Sequence, residues 1–201
     1  CGKSTTVALL SRLYEYQNGK ITLDGEDLRK YKRSFLRTKI GFVSQEVVIF
    51  RGSLRENLDP ENHATGEEIM ASCKETGLLS VMEKNQLDLN SEILENGTNL
   101  SIGERQLLAF TRILLRNPGL LVLDEATANI DTAYEKIIHD AVDRIMKGRT
   151  CLIIAHRLDT LKSCDRIIVM SKGEIAEEGS LPELIDKKGA FANYWTHAAF
   201  S

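Results

Sequence analysis

Three apolar stretches constrain this chain more than any other feature: "KIGFVSQ" at residues 39–45, "LLVLDE" at 120–125 and "RTCLIIAH" at 149–156. Each is of strand length and runs apolar rather than alternating with polar residues. Between the last two and ahead of them lie stretches of helical period, "ERQLLAFTRILLR" at 104–116 and "DTAYEKIIHDAVDRIMKG" at 131–148. Buried strands joined through helices predict an α/β fold, a mostly parallel sheet with helices on both faces. Ligands of such sheets sit beyond the carboxyl ends of the strands. Gln45, the pair Asp124 and Glu125, and His156 stand at those ends, so three strands bring polar groups to one edge.

The other elements read as follows. "STTVALLSRLYEY" predicts a helix over 4–16, with Val7, Leu9, Leu10 and Leu13 on its apolar face. "GKITLDGEDL" alternates like a strand, with a turn at Gly25. Residues 53–116 are rich in helix signals, including a capping box of Thr65 and Glu68. Asn117-Pro118-Gly119 stops the helix before it. "DRIIVMSKGEIAEEG" predicts a hairpin turning at Lys172-Gly173, and residues 180–200 read as two closing helices.

The strand-end residues suit phosphate transfer. Asp124 is a hard oxygen donor for Mg²⁺, directly or through water. Glu125 would polarise a water attacking a terminal phosphate. Gln45 would touch the metal or that water through its amide, and His156 would hydrogen-bond the phosphate. Alone, each also reads as an ordinary surface or structural residue. The chain opens on Gly2-Lys3-Ser4-Thr5, the last four positions of the phosphate-loop pattern G-x-x-x-x-G-K-[ST]. These four also read as a capped helix start with a solvated lysine. The following helix suits the phosphate reading, because its first N–H groups and dipole would face an anion. "NLSIGERQ" has two compatible readings as well. Ser101 and Glu104 form an S-x-x-E capping box, and a capped helix start with Gly103 presents N–H groups to an anion.

Composition excludes several classes. A net charge of -3 offers no basic footprint for nucleic acid. No apolar run spans a bilayer, so a membrane role requires another domain or chain. Cys1, Cys73, Cys151 and Cys164 lack the spacing of a zinc site or disulfide framework, which fits a reducing compartment.

In order and spacing these residues resemble the nucleotide-binding domain of ATP-binding cassette (ABC) transporters, over all 201 residues. The resemblance implies a P-loop ATPase fold with a helical subdomain near 53–117 and a small β-hairpin element. It implies ATP and Mg²⁺ as ligands. Gly2, Lys3, Ser4 and Thr5 match the end of the phosphate loop, with Ser4, Gln45 and Asp124 toward the metal. Glu125 matches the catalytic glutamate, Gln45 the glutamine loop, and His156 the switch histidine. Residues 100–104 match the signature usually written "LSGGQ", through which Ser101 and Gly103 would meet the ATP of a partner cassette. Residues 126–131, ending in Asp131, match the loop joining the two sites. Ile102 and Glu104 depart from that signature. A carboxylate at 104 would repel a triphosphate unless it turned back to cap its own helix.

The likeness implies a head-to-tail pair of cassettes, each ATP lying between one phosphate loop and the other signature. It implies transmembrane domains, preceding the cassette on the same polypeptide and met by residues 50–58, and a place on the cytoplasmic face of a membrane. "FRGSLRENLDPEN" and "EEGSLPELI" look more particularly like the second cassette of the multidrug-resistance-associated subfamily. The chain is expected to be truncated inside the phosphate loop and therefore impaired in ATP binding by itself. Chromosome-maintenance ATPase heads share the signature but insert a long coiled coil, and residues 46–99 carry no sustained heptads.

Overall fold

In the computed structural model the chain runs α1 (Lys3–Leu10), β1 (Thr22–Leu23), β2 (Glu26–Asp27), α2 (Arg33–Lys39), β3 (Ile40–Val43), β4 (Gly52–Ser53), α3 (Leu54–Leu58), α4 (Gly66–Thr76), α5 (Leu78–Lys84), β5 (Glu92–Ile93), α6 (Ile102–Arg116), β6 (Leu120–Asp124), α7 (Thr132–Met146), β7 (Thr150–Ile154), α8 (Leu158–Lys162), β8 (Ile167–Ser171), β9 (Glu174–Gly179), α9 (Leu181–Asp186) and α10 (Ala190–Ala199). The structure describes residues 2–44, 46–124, 132–155 and 158–199. The chain divides into two units, one of Ser34–Ile153 and one of Cys1–Arg33 with Ile154–Ser201.

In the first of these, the three apolar stretches form one sheet in the order β3-β6-β7. β3 and β6 are parallel, with Ile40 opposite Leu120 and Val43 opposite Leu123. Such pairing needs a crossover, and the chain between them supplies it through α3 to α6. Leu121, Val122 and Leu123 are buried, as a strand covered on both faces requires. α6 has the strongest apolar stripe of the crossover, and Leu107, Leu108, Phe110 and Ile113 lie in the main core with Ile69 and Cys73 of α4 and Ile138 of α7. Thr111 and Thr76 share a buried hydroxyl–hydroxyl bond of 2.7 Å between α6 and α4, while Thr111 also donates to the Leu107 carbonyl. Asn117 ends α6 in the left-handed region, its N–H returning to Ile113 at 2.9 Å, and Pro118 prevents continuation. The expected Thr65–Glu68 capping box opens α4, and a second, Ser53–Glu56, opens α3.

The other unit corrects one expectation. The helix predicted over 4–16 ends at Leu10, and Leu13 is 71 % exposed. The cause is a C-terminal cap that periodicity does not reveal. Arg12 takes φ 51°, its N–H bonds Leu9 O, and Leu13 N–H bonds Ala8 O, the pair of bonds that closes a helix. Glycine usually holds that position. Here the Arg12 guanidinium offsets the cost by donating to the carbonyls of Leu28 and Tyr31 and pairing with Glu15 at 2.6 Å. β1 and β2 form the expected hairpin around Asp24-Gly25, and β8 and β9 another around Lys172-Gly173, all four turn residues having positive φ. Ile167, Leu184 and Phe191 make a small core beneath the second hairpin.

Phe110 is fully buried on α6. Its replacement by alanine is expected to lower stability by about 3–5 kcal/mol. Denaturant unfolding should show a shifted midpoint at unchanged slope.

Candidate functional site

The best-defined candidate residues stand at the start of α6. Ser101 is extended (φ −67°, ψ 166°), and its hydroxyl accepts the Glu104 N–H at 3.3 Å. The Glu104 carboxylate turns back and accepts the Ser101 N–H at 2.9 Å. The capping box read from the sequence is therefore built. Glu104 is also only 6 % exposed, and an ionised group that deep needs partners. They come from two neighbouring helices. The Asn85 amide, just past α5, donates to Oε1 at 2.9 Å, and the Tyr134 hydroxyl in the first turn of α7 donates to the same oxygen at 2.8 Å. Burial pushes the Glu104 carboxyl up. The hydrogen bonds from Ser101, Tyr134 and Asn85 outweigh burial and hold it below its ordinary 4.5.

Gly103 is packed against the same tyrosine. A Cβ there would lie 2.9 Å from both Cβ and Cγ of Tyr134. Glycine is thus required for α6 to approach α7 whatever an anion requires. Ser101 and Ile102 are exposed, Ile102 at 48 %, so the helix start meets solvent while its acidic residue points inward. Sequence reasoning missed Asn85 and Tyr134. The only signal for them is the demand of a buried Glu104 for donors, and they stand 19 and 30 residues away.

Gly2 is the N-cap of α1, at φ 107° and ψ −5°, and provides no side-chain cap. Lys3, Ser4 and Thr5 form the first turn, with Ser4 and Thr5 exposed. An α-helix leaves the amides of that turn without intrahelical acceptors, so an anion is a suitable partner. Asp124 ends β6 and is half-buried. Gly2 to Thr5 belong to one unit, and Asp124 with the α6 start to the other. Gln45, Glu125, Asp131 and His156 lie outside the described residues.

Among the described residues no three His, Cys, Asp or Glu side chains gather into a metal cluster. A Mg²⁺ that travels with phosphates needs only one or two protein oxygens, and a serine hydroxyl with an aspartate fits that donor chemistry.

A further surface follows β3. Val48 is 76 % exposed and Phe50 is 40 % exposed. The segment is nevertheless fixed: Arg112 of α6 donates to Val48 O at 2.6 Å and to the carbonyl of Asn57. The fully buried Asn57 side chain in turn bridges to both backbone groups of Phe50.

A strand of a parallel pair ending at Asp124, and a helix opening on Gly2-Lys3-Ser4-Thr5, are features of the P-loop nucleotide-binding fold. A family model described as "ABC transporter" matches residues 1–128, more than half of the chain, and the chain belongs to the ABC transporter family. It is 43 % identical over 195 residues to "Multidrug resistance protein 1" of Entamoeba histolytica, covering 95 % of this chain and 15 % of that protein. It is 42 % identical to "ATP-dependent lipid A-core flippase" of Hahella chejuensis over 95 % of this chain and 33 % of the relative. Among solved structures, an Atm1-family ABC exporter from a bacterium, with ATP bound, superposes with a TM-score of 0.88 at 34 % identity, over 98 % of this chain and 34 % of that one. The chain spans about a third or less of the length of these proteins.

Ser101→Ala should cost about 1 kcal/mol, the usual effect of a lost cap, read from the unfolding midpoint. Because the Glu104 carboxyl is depressed in the folded state, its stabilisation is present above the ordinary carboxylate value and lost as pH falls through the folded-state value. Glu104→Gln should therefore flatten part of the acid limb of a stability–pH curve. An acid limb as steep as wild type would show that the carboxylate contributes nothing.

Proposed function

We propose that this chain is the nucleotide-binding domain of an ABC exporter, one cassette over 1–201 with a helical subdomain near 53–117, and that it binds and hydrolyses ATP to energise transport across a membrane. The observation that carries the reading is the start of α6. A capped helix presents its exposed first residues, Ser101 and Ile102, to solvent, while the acidic Glu104 is drawn inward by Ser101, Asn85 and Tyr134. That arrangement removes the main objection to an anion at this signature. Membership of the family, and likeness to relatives named as a flippase and a multidrug resistance protein, support the transport reading.

In this reading Lys3 and the first-turn amides of α1 hold the β- and γ-phosphates. Ser4, Asp124 and Gln45 hold Mg²⁺, which supplies charge neutralisation between the phosphates. Glu125 accepts a proton from the attacking water, and His156 holds the γ-phosphate. Ser101 and Gly103 meet the ATP of a second cassette arranged head to tail, with Asp131 in the loop between the two sites. Closure of the pair then depends on the terminal phosphate, because each cassette offers helix N–H groups to it from its own side. The exposed Val48 and Phe50, pinned by Arg112, are the apolar surface on which transmembrane domains would act. No helix among the described residues is long and apolar enough to cross a membrane. In this reading the membrane domains are other segments or chains, and the cassette lies on the cytoplasmic face of the membrane.

The finer placement, as the second cassette of the multidrug-resistance-associated subfamily, rests on "FRGSLRENLDPEN" and "EEGSLPELI". A relative named "ABC transporter B family member 21" from Arabidopsis thaliana, 40 % identical, is the natural competitor for that placement. Comparison of the full-length sequence, membrane domains included, with members of both subfamilies would test that placement.

In the full-length protein Glu125→Gln should retain ATP binding and lose turnover by roughly 10²- to 10⁴-fold, the contribution of a positioned general base. Turnover near wild type in a steady-state phosphate-release assay would remove Glu125 from that role.

A further inference from the structure

We propose that Tyr134 and Asn85 are positioning residues for the signature, acting through the carboxylate of Glu104; the proposal rests on the ATPase reading above. Three helices meet at this one side chain. Its Oε2 holds the Ser101 N–H at 2.9 Å, and its Oε1 takes the Asn85 amide at 2.9 Å and the Tyr134 hydroxyl at 2.8 Å. Tyr134 also closes on the α6 backbone through the space where Gly103 lacks a side chain. Lys84, the last residue of α5, sits 5.6 Å from the centre of the Tyr134 ring, so the α5 end and the α7 start both border the cluster.

The geometry gives the cluster a direction of action. α7 begins at Thr132, immediately after residues 126–131, which the resemblance makes the loop between two sites. A displacement of the first turn of α7 moves the Tyr134 hydroxyl and ring together. Glu104 and Gly103 must follow, and with them the Ser101 and Gly103 amides. The cluster therefore links the 126–131 segment to the group that would meet the partner's ATP. It exists because residue 104 is a carboxylate: a buried anion at the head of a helix must have several donors, whereas a neutral amide can satisfy itself with fewer.

That dependence makes the proposal testable by rescue in the full-length protein. Tyr134→Phe removes one charge-assisted hydrogen bond and should lower kcat for ATP at saturation by about tenfold, with KM for ATP nearly unchanged. Introduced into the Glu104→Gln variant, the same Tyr134→Phe change should alter kcat by no more than about twofold, because the hydrogen bond then removed no longer serves a charged group. Asn85→Ala, approaching the carboxylate from the other helix, should show the same pattern and serves if the tyrosine variant folds poorly. Equal losses in the wild-type and Glu104→Gln backgrounds would overturn the proposal and leave Tyr134 a packing residue. So would an unchanged kcat in both single variants beside an active wild type. A wild-type protein that does not turn over ATP would sink the cassette reading itself, and the positioning role with it.

Discussion

Burial of α6 is the constraint on which the Ser34–Ile153 unit depends. The helix lies in the crossover between two parallel strands, and parallel strands cannot be joined without such a detour. Its apolar residues contact α3, α4, α5, α7 and β3 through one continuous core. Because that core is apolar and close-packed, it sets where both ends of α6 emerge. The C-terminal end leads through Asn117 and Pro118 directly into β6 and Asp124. The N-terminal end is Ser101. One packed helix thus positions a strand-end carboxylate at one extreme and a capped anion-facing turn at the other.

The head of α6 shows how stability and chemistry share residues. A capping box needs only Ser101 and Glu104, and at α3 and α9 comparable serine–glutamate pairs are solvent-exposed. At α6 the glutamate is buried while Ser101 stays exposed, and burial changes what the carboxylate demands. The carboxylate draws Asn85 and Tyr134 toward it, and the tyrosine in turn excludes any side chain at 103. Glycine at that position is therefore explained by packing before any ligand is considered. Glutamate in place of the family's usual glutamine belongs to the same local solution, since its negative charge is taken up by donors of its own chain.

The Arg112–Asn57 network fixes a second surface by similar means. A half-buried arginine and a fully buried amide join α6 to the chain between β3 and α3. Val48 and Phe50 are thus exposed without being loose. On the proposed function, an apolar surface held in place by polar bonds to the central helix would suit contact with transmembrane domains.

Much of this was legible in the residues alone. Period and composition marked β3, β6 and β7, the long helices α6 and α7, both hairpins and the α6 cap, because each depends on neighbours within a few residues. The family emerged from motif order, which tertiary structure does not alter. Where a decision depended on distant residues, sequence was insufficient. The early end of α1 rests on Arg12 reaching carbonyls of Leu28 and Tyr31. The fate of Glu104 rests on Asn85 and Tyr134, which only the packing of α5 and α7 on α6 brings within hydrogen-bonding distance. Local hydrogen bonds and side-chain period are written along the chain; the partners of a buried charge are chosen by which helices the core presses together.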